Sequence, residues 1–167
     1  GGAPRRLTYH TGSDEVVCWT PDSQKIVFRA SRGDGAFPGI ATLYQVPVNG
    51  GLETPLPVDW GYWGSFSADG KQFLFNRHPA VWTRKHYRGS FAADIWVEDI
   101  ATKAYRQILP GENYNRYWPM WGPNGDTYFV ADPLPNDKTV KPGSAEVRKS
   151  LNNIYKTSAK GGTEPTQ

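Results

Sequence analysis

The sequence has a single cysteine, Cys18, and only three histidines, His10, His78 and His86, among its 167 residues. One cysteine excludes an internal disulfide framework and a multi-cysteine zinc site. The histidines show no His-x-x-x-His spacing and the acidic residues show no calcium-loop spacing, so we expect no metal and no cofactor. The serines lack a Gly-x-Ser-x-Gly nucleophile elbow. We therefore expect no catalytic residue, and we interpret Cys18 as a small buried hydrophobic residue rather than a nucleophile.

Long apolar runs and clustered charge are scarce as well. No apolar run approaches the roughly 20 residues that a membrane-spanning helix needs. The formal net charge is only +3, and the basic residues are scattered rather than arranged in a stripe. We therefore expect neither membrane insertion nor nucleic-acid binding. The absence of a signal-peptide pattern and of an initiating Met is typical of an excised or processed segment, and both cytoplasm and periplasm stay open as compartments.

Aromatic residues and turn formers are abundant, with seven Trp, nine Tyr, 18 Gly and 14 Pro. One phrase occurs three times: a large aromatic residue, a turn at Asp or Asn followed by Gly or Ser, and then an apolar strand. The copies begin at Trp19, Phe66 and Trp121, and in the middle copy Asp69-Gly70 predicts a two-residue hairpin with positive φ at both positions. A repeat of about 50 residues that carries a tight hairpin is typical of a β-propeller blade.

Each repeat is predicted to form the four antiparallel strands of one blade, which makes the chain an all-β protein. The predicted innermost strands are 15–19, 62–66 and 117–121, the second strands are 25–30, 72–76 and 127–131, and the third strands are 43–48, 95–100 and 154–159. A fourth strand is predicted after the turns at Gly50, Thr102 and Gly161. The three repeats span about 1–49, 50–101 and 102–160, with 161–167 starting a further outer strand and 1–8 also encoding the start of one.

The connections between second and third strands are long and share one face of the predicted propeller with the connections between blades. We expect recognition on that face, because loops on a rigid scaffold carry function. Alternation along the strands leaves about half of the aromatic residues for the core, to which we assign Trp63, Phe66, Trp118 and Trp121. The candidate peptide- or partner-binding residues are the remaining aromatic and cationic residues of this face, Trp60, Tyr62, Arg84, Lys85, Arg88, Tyr114, Arg116 and Tyr117. The alternative for the basic run at 84–88 is a solvated loop.

The repeated phrase resembles the WD40-like PD40 repeat of the TolB propeller, the prolyl oligopeptidases and the tricorn proteases. The segment 82–96, Trp-Thr-Arg-Lys-His-Tyr-Arg-Gly-Ser-Phe-Ala-Ala-Asp-Ile-Trp, resembles the tricorn loop that leads a Tyr-Arg-Gly-Gly segment into an Asp-Ile-Trp strand, with Ser90 in place of the second Gly. Residues 1–8 resemble the Gly-Gly-x-Pro-x-x-Leu-Thr segment between tricorn blades. The resemblance implies three blades of an N-terminal six-bladed propeller that gates peptide access to a serine peptidase, whose catalytic Ser and His belong to another module.

Three blades make an open arc, whereas closed propellers have about four to eight. Each uncovered blade face is expected to exceed the few hundred Å² of apolar surface that soluble monomers tolerate. The sequence therefore predicts a homodimer that completes a six-bladed ring, or a ring completed by further blades of a longer chain. Two other interpretations stay open: a TolB-like propeller that docks another protein, and an engineered propeller fragment that assembles with a second copy.

Overall fold

The fold is described from a computed structural model for residues 2–32, 41–58, 60–79, 87, 89–110, 115–131, 153–158 and 160. These residues contain three antiparallel sheets. The first sheet has the strands β1 (Asp14–Trp19), β2 (Lys25–Ala30), β3 (Thr42–Pro47) and β4 (Thr54–Pro55). The second has β5 (Gly64–Phe66), β6 (Gln72–Asn76), β7 (Ile95–Asp99) and β8 (Tyr105–Gln107). The third has β9 (Arg116–Trp121), β10 (Asp126–Ala131) and β11 (Asn153–Ser158).

Each sheet is a meander in which neighbours in sequence are neighbours in space. The all-β propeller fold and the blade-by-blade order of strands that the sequence predicts are confirmed. None of the bounds that the sequence predicts for the first three strands of each blade differs by more than two residues. The fourth strand expected after Gly161 lies outside the described residues. Residues 2–10 form no strand, although an outer strand was expected there; instead Leu7 packs on the first sheet and the Arg5 side chain donates to the Val48 carbonyl. In the described part of the chain, no helix is long and apolar enough to cross a membrane.

The repeated phrase forms the turn between the first two strands of each sheet, but not the two-residue hairpin that the sequence predicts. Positive φ occurs at Gly70 (φ 71°) and not at Asp69. The loop runs from Ser67 to Lys71 because the Ser67 hydroxyl donates to the Asp69 carboxylate at 2.7 Å and accepts the Gln72 amide at 3.0 Å. These bonds close the loop, and in the first copy the Thr20 hydroxyl likewise donates to the Asp22 carboxylate and accepts the Lys25 amide.

The third copy of the turn is shorter by one residue. In it the Gly122 amide donates to the Asp126 carbonyl, whereas in the middle copy the Ser67 amide donates to the Gln72 carbonyl. This shift makes Phe129 the equivalent of Phe75 and Phe28, as the cross-strand pairs Phe129–Tyr155, Phe75–Trp96 and Phe28–Tyr44 show. The sequence alignment of the phrase, which matches Phe129 with Leu74, is therefore wrong by one position. Strand side chains alternate between faces, so this one residue decides which side chains of β10 face the second sheet.

Two apolar clusters join the three sheets side by side. Between the first and second sheets, Val27 and Leu43 pack with Phe73 and Phe75, and β1 lies against β5. Between the second and third sheets lies the other cluster, built from Leu74, Ile95, Val97, Ile108, Leu109, Phe129 and Ala131. Among the described strands, none of the first sheet contacts the third. The described sheets therefore form an arc with two ends.

Each end of the arc presents an apolar sheet face. The upstream end face is the side of the first sheet turned away from the second. Its centre, at Phe28, Ala30 and Val46, is buried with Leu7 packed on it. Val16 and Trp19, on the innermost strand, are 64% and 55% exposed. The downstream end face is the matching side of the third sheet, where Met120 pairs with Tyr128 and Ile154 pairs with Val130. Met120 and Ile154 are 51% and 62% exposed, so apolar surface at both ends faces solvent.

Candidate functional site

The junction between the second and third sheets is held by polar groups in an apolar setting. The Asn76 side-chain amide donates to the carbonyls of Arg116 and Asp94, at 2.7 and 3.1 Å, and its oxygen accepts the Trp118 amide at 3.0 Å. The Arg116 guanidinium donates to the Leu109 carbonyl at 3.1 Å and lies 3.6 Å from the Asp94 carboxylate. Burial raises the pKa of Asp94, while the charge of Arg116 opposes that rise. These side chains connect the second sheet to the third.

Two of the candidate binding residues belong to this junction. Arg116 is 0% exposed and Tyr117 is 3% exposed, so both lie inside the chain rather than at a channel mouth. Trp118, which the sequence assigns to the core, is instead 40% exposed. The physical reason is a β-bulge in β9: the register shifts between Tyr117 and Met120, and Trp118 adopts a φ of 53°. A bulge breaks the alternation on which the assignment of inward and outward residues rests.

Tyr62 belongs to the matching junction between the first and second sheets. The guanidinium carbon of Arg29 lies 3.7 Å from the centroid of the Tyr62 ring and 4.0 Å from that of Trp63. The same guanidinium forms an ion pair with Glu15. Arg29 and Asn76 occupy equivalent positions on the second strands of their sheets, and each reaches the start of the next sheet. Tyr62 and Trp63 therefore serve packing between sheets through cation–π contacts.

Trp60 lines an open groove on the side of the second sheet that faces the first. This Arg77 groove is lined by Arg77 and by six apolar or aromatic residues, Pro57, Val58, Trp60, Phe75, Trp96 and Tyr105. It encloses about 360 Å³ of empty space, part of it open to solvent. The guanidinium carbon of Arg77 lies 4.6 Å from the ring centroid of Trp60 and 6.0 Å from that of Trp96. A cation thus lies close to two indole rings in a mostly apolar recess.

His78 packs against Trp60 of the groove. Its ring lies 6.2 Å from Trp60 and 5.0 Å from Phe91, between centroids, and the side chain is buried. Burial, and to a smaller degree the charge of Arg77, lowers the pKa of His78 below its ordinary value of 6.5. The imidazole is therefore held neutral near pH 7, which leaves Arg77 as the cation among the described residues of the groove.

The remaining candidates are four predicted binding residues, the single cysteine and groups of side chains that could bind a metal. Arg84, Lys85, Arg88 and Tyr114 lie outside the described residues. Cys18 packs against the cluster between the first and second sheets, and burial raises the pKa of its thiol from 9.0 to about 12. A thiol with this pKa stays protonated and is a poor nucleophile. Within the described ranges, no group of His, Cys, Asp and Glu side chains could hold a metal ion.

Comparison with known proteins places this architecture in a family. The sequence profile of the tricorn protease N-terminal beta propeller domain matches residues 1–165. The chain belongs to this tricorn propeller family. It is accordingly a β-propeller module, and the matched domain is the propeller rather than the catalytic part of the protease. No curated protein is similar enough in sequence to be matched.

Solved structures agree on the fold of this tricorn-type propeller. TolB from Acinetobacter baumannii is 18% identical with a TM-score of 0.54, over 90% of this chain and 31% of that one. The β-propeller domain of the Trilobed protease from Pyrococcus furiosus is 12% identical with a TM-score of 0.55, over 93% of this chain and 42% of that one. The acylaminoacyl peptidase from Pyrococcus horikoshii is 14% identical with a TM-score of 0.51, over 80% of this chain and 19% of that one. The chain thus spans less than half the length of each.

The sequence predicts Trp60 as a binding residue but does not predict the other important side chains of the groove. Arg77 follows the last residue of β6 and starts a long connection, and a cation at that position was a usable signal. Its equivalents in the first and third sheets are Ala30 and Ala131, so among these three positions the middle sheet has the cation. Trp96 and Tyr105 stack edge to face across β7 and β8 at 6.0 Å, and only the strand register brings them together.

Proposed function

We propose that the tricorn-type propeller described here is a non-catalytic half-ring that binds peptides and controls their access to a serine peptidase. A second half-ring, supplied by a second copy of the chain, completes six blades around a central channel. The observation that carries the proposal is the pair of apolar end faces. Surface of this kind is normally covered in a soluble assembly.

The equivalence of the sheet faces supports closure by a second copy. The upstream end face of the first sheet corresponds to the faces that the second and third sheets bury at their junctions: Phe28, Phe75 and Phe129 occupy one position. The downstream end face corresponds to the sides of the first and second sheets that are buried in the same way. A head-to-tail contact between two copies therefore repeats an interface that the chain already forms twice.

Substitution on an end face tests this closure. Ile154 is 62% exposed, so Ile154→Lys should cost a single chain less than about 0.5 kcal/mol. In a closed ring the same lysine would be buried against apolar residues, and we expect the assembly to dissociate. Leu52→Lys, at a residue 90% exposed in the turn between β3 and β4, is the matched control and should leave the solution mass unchanged. Equal behaviour of the two variants would refute closure through this face.

Peptide binding is tested separately from assembly. The support for it is the aromatic and cationic character of the face with the long connections, including the basic run at 84–88. Arg84→Ala and Arg88→Ala should weaken the binding of short peptides, measured by calorimetry. If these variants instead lose a protein partner in pull-down experiments while peptide affinity stays the same, the docking role of a TolB-like propeller is the better description. The similarity in fold to TolB from Acinetobacter baumannii is the reason to include this second candidate.

A further inference from the structure

The Arg77 groove has the construction of a binding site that is independent of the end faces. It lies between the segment that follows β4 and the outer half of the second sheet, and its walls are Pro57, Phe75 and the aromatic rings. Its lining has the composition of small-ligand sites, which are mostly apolar with a few polar groups. Here the polar group is a guanidinium.

The position of that guanidinium determines what it can bind. Stacking on the Trp60 ring, at 4.6 Å, and near the Trp96 ring, at 6.0 Å, restricts the side chain while the N–H groups point within the guanidinium plane. No carboxylate of the described residues forms an ion pair with Arg77. Arg29 and Arg32, in contrast, both have acidic partners. A cation held in place beside apolar walls favours a planar anion, because a carboxylate accepts two parallel hydrogen bonds from a guanidinium.

We propose that the Arg77 groove binds an apolar or aromatic group that carries a carboxylate. Arg77 binds the carboxylate, and Trp60, Trp96 and Tyr105 contact the apolar part. A peptide whose last residue is apolar carries this chemistry at its C-terminus, and an acidic side chain beside an apolar residue carries it within a chain. The inference deepens the proposed function, on which it rests only for the source of the ligand.

Three probe peptides separate these sources: acetyl-Ala-Ala-Phe with a free carboxylate, the same peptide with a C-terminal amide, and acetyl-Ala-Glu-Phe amide. Affinity is measured by calorimetry with the full chain. We expect the free carboxylate to bind and the Ala-Ala-Phe amide to bind about tenfold or more weakly, because a charge-assisted hydrogen bond is lost. Binding of the Glu peptide equal to that of the free acid supports the same groove chemistry and shows that an acidic side chain serves as well as a C-terminus.

Variants identify the groove as the binding site. Arg77→Gln should lower the affinity for the free acid by about the same factor as amidation, and should make no further difference to the amide. Arg77→Lys should recover part of the loss, because an ammonium keeps the charge without the planar pair of donors. Lys71→Gln removes an exposed cation of the same sheet at the opposite turn and should change nothing. Equal affinity for acid and amide, no binding of any probe, or equal effects of Arg77→Gln and Lys71→Gln would overturn the inference. Solution mass, measured in parallel, reports on ring closure alone, so failure of one proposal is distinguishable from failure of the other.

Discussion

A substitution at Gly125 measures the cost of backbone conformation without a change in side-chain packing. The φ of Gly125 is +74°, and a Cβ added there would meet nothing within 4 Å. Gly125→Ala should therefore lower the free energy of unfolding by about 1 kcal/mol through backbone strain alone. Urea denaturation with a shared m-value measures this difference. Gly2→Ala, also in open space but without a positive φ, is the control, and equal stability of the two variants would contradict the argument.

His78 gives the chain a predictable response to acid. Its pKa is lowered in the folded state, so the unfolded chain takes up the proton first as the pH falls below about 6.5. The contribution of the neutral imidazole to stability is complete above that pH and is lost as the pH falls further. Between pH 7.5 and 5.5 we expect Tm to fall more steeply for the unmodified chain than for His78→Phe, which keeps an aromatic ring beside Trp60.

The control for His78 is the exposed His10. The variant His10→Gln should retain the steep acid dependence, since His10 is not packed in the fold. A His78→Phe profile parallel to that of the unmodified chain would show that another group is responsible for the loss of stability.

At the scale of elements, Asn76 is the side chain that makes the most hydrogen bonds described at the junction between the second and third sheets. Asn76 makes three side-chain hydrogen bonds, two of them to Arg116 and Trp118 of the next sheet. Asn76→Ala would leave buried backbone groups without these bonds and should cost about 3 kcal/mol, measured by urea denaturation. Asn49→Ala, at an exposed turn residue, should cost less than about 0.5 kcal/mol. A similar small change at both positions would mean that apolar packing alone holds the junction.

The strands could be predicted from the sequence, but the junctions could not. Runs such as Phe73-Leu74-Phe75 between turn residues indicate a strand whatever the surroundings, because apolar and β-prone residues are local signals. Arg29 and Asn76 gain their roles only from the neighbouring sheet, which lies 30 or more residues away in sequence. Arg77 gains its role from Trp60 and Trp96, which lie on other segments of the chain. Of the predicted binding residues that the structure describes, Trp60 lines the groove. Trp118 is exposed and not in the core because nothing local in the sequence indicates the bulge there, whereas Arg116 and Tyr117 are buried in the junction.

For the whole molecule, the central question is what covers the two end faces. Val16, Trp19, Met120 and Ile154 are each more than half exposed, and all lie on sheet faces whose equivalents are buried at the internal junctions. Burial of apolar surface stabilises an assembly in proportion to the area removed from water. A chain that leaves these four residues in water would lose this contribution and would tend to associate.

Solution mass tests this account most directly. Multi-angle light scattering of the 167-residue chain should give twice its mass of 18.6 kDa, and the Ile154→Lys variant should return to the mass of one chain. A cooperatively folded particle of 18.6 kDa for the unmodified chain would contradict the proposed ring.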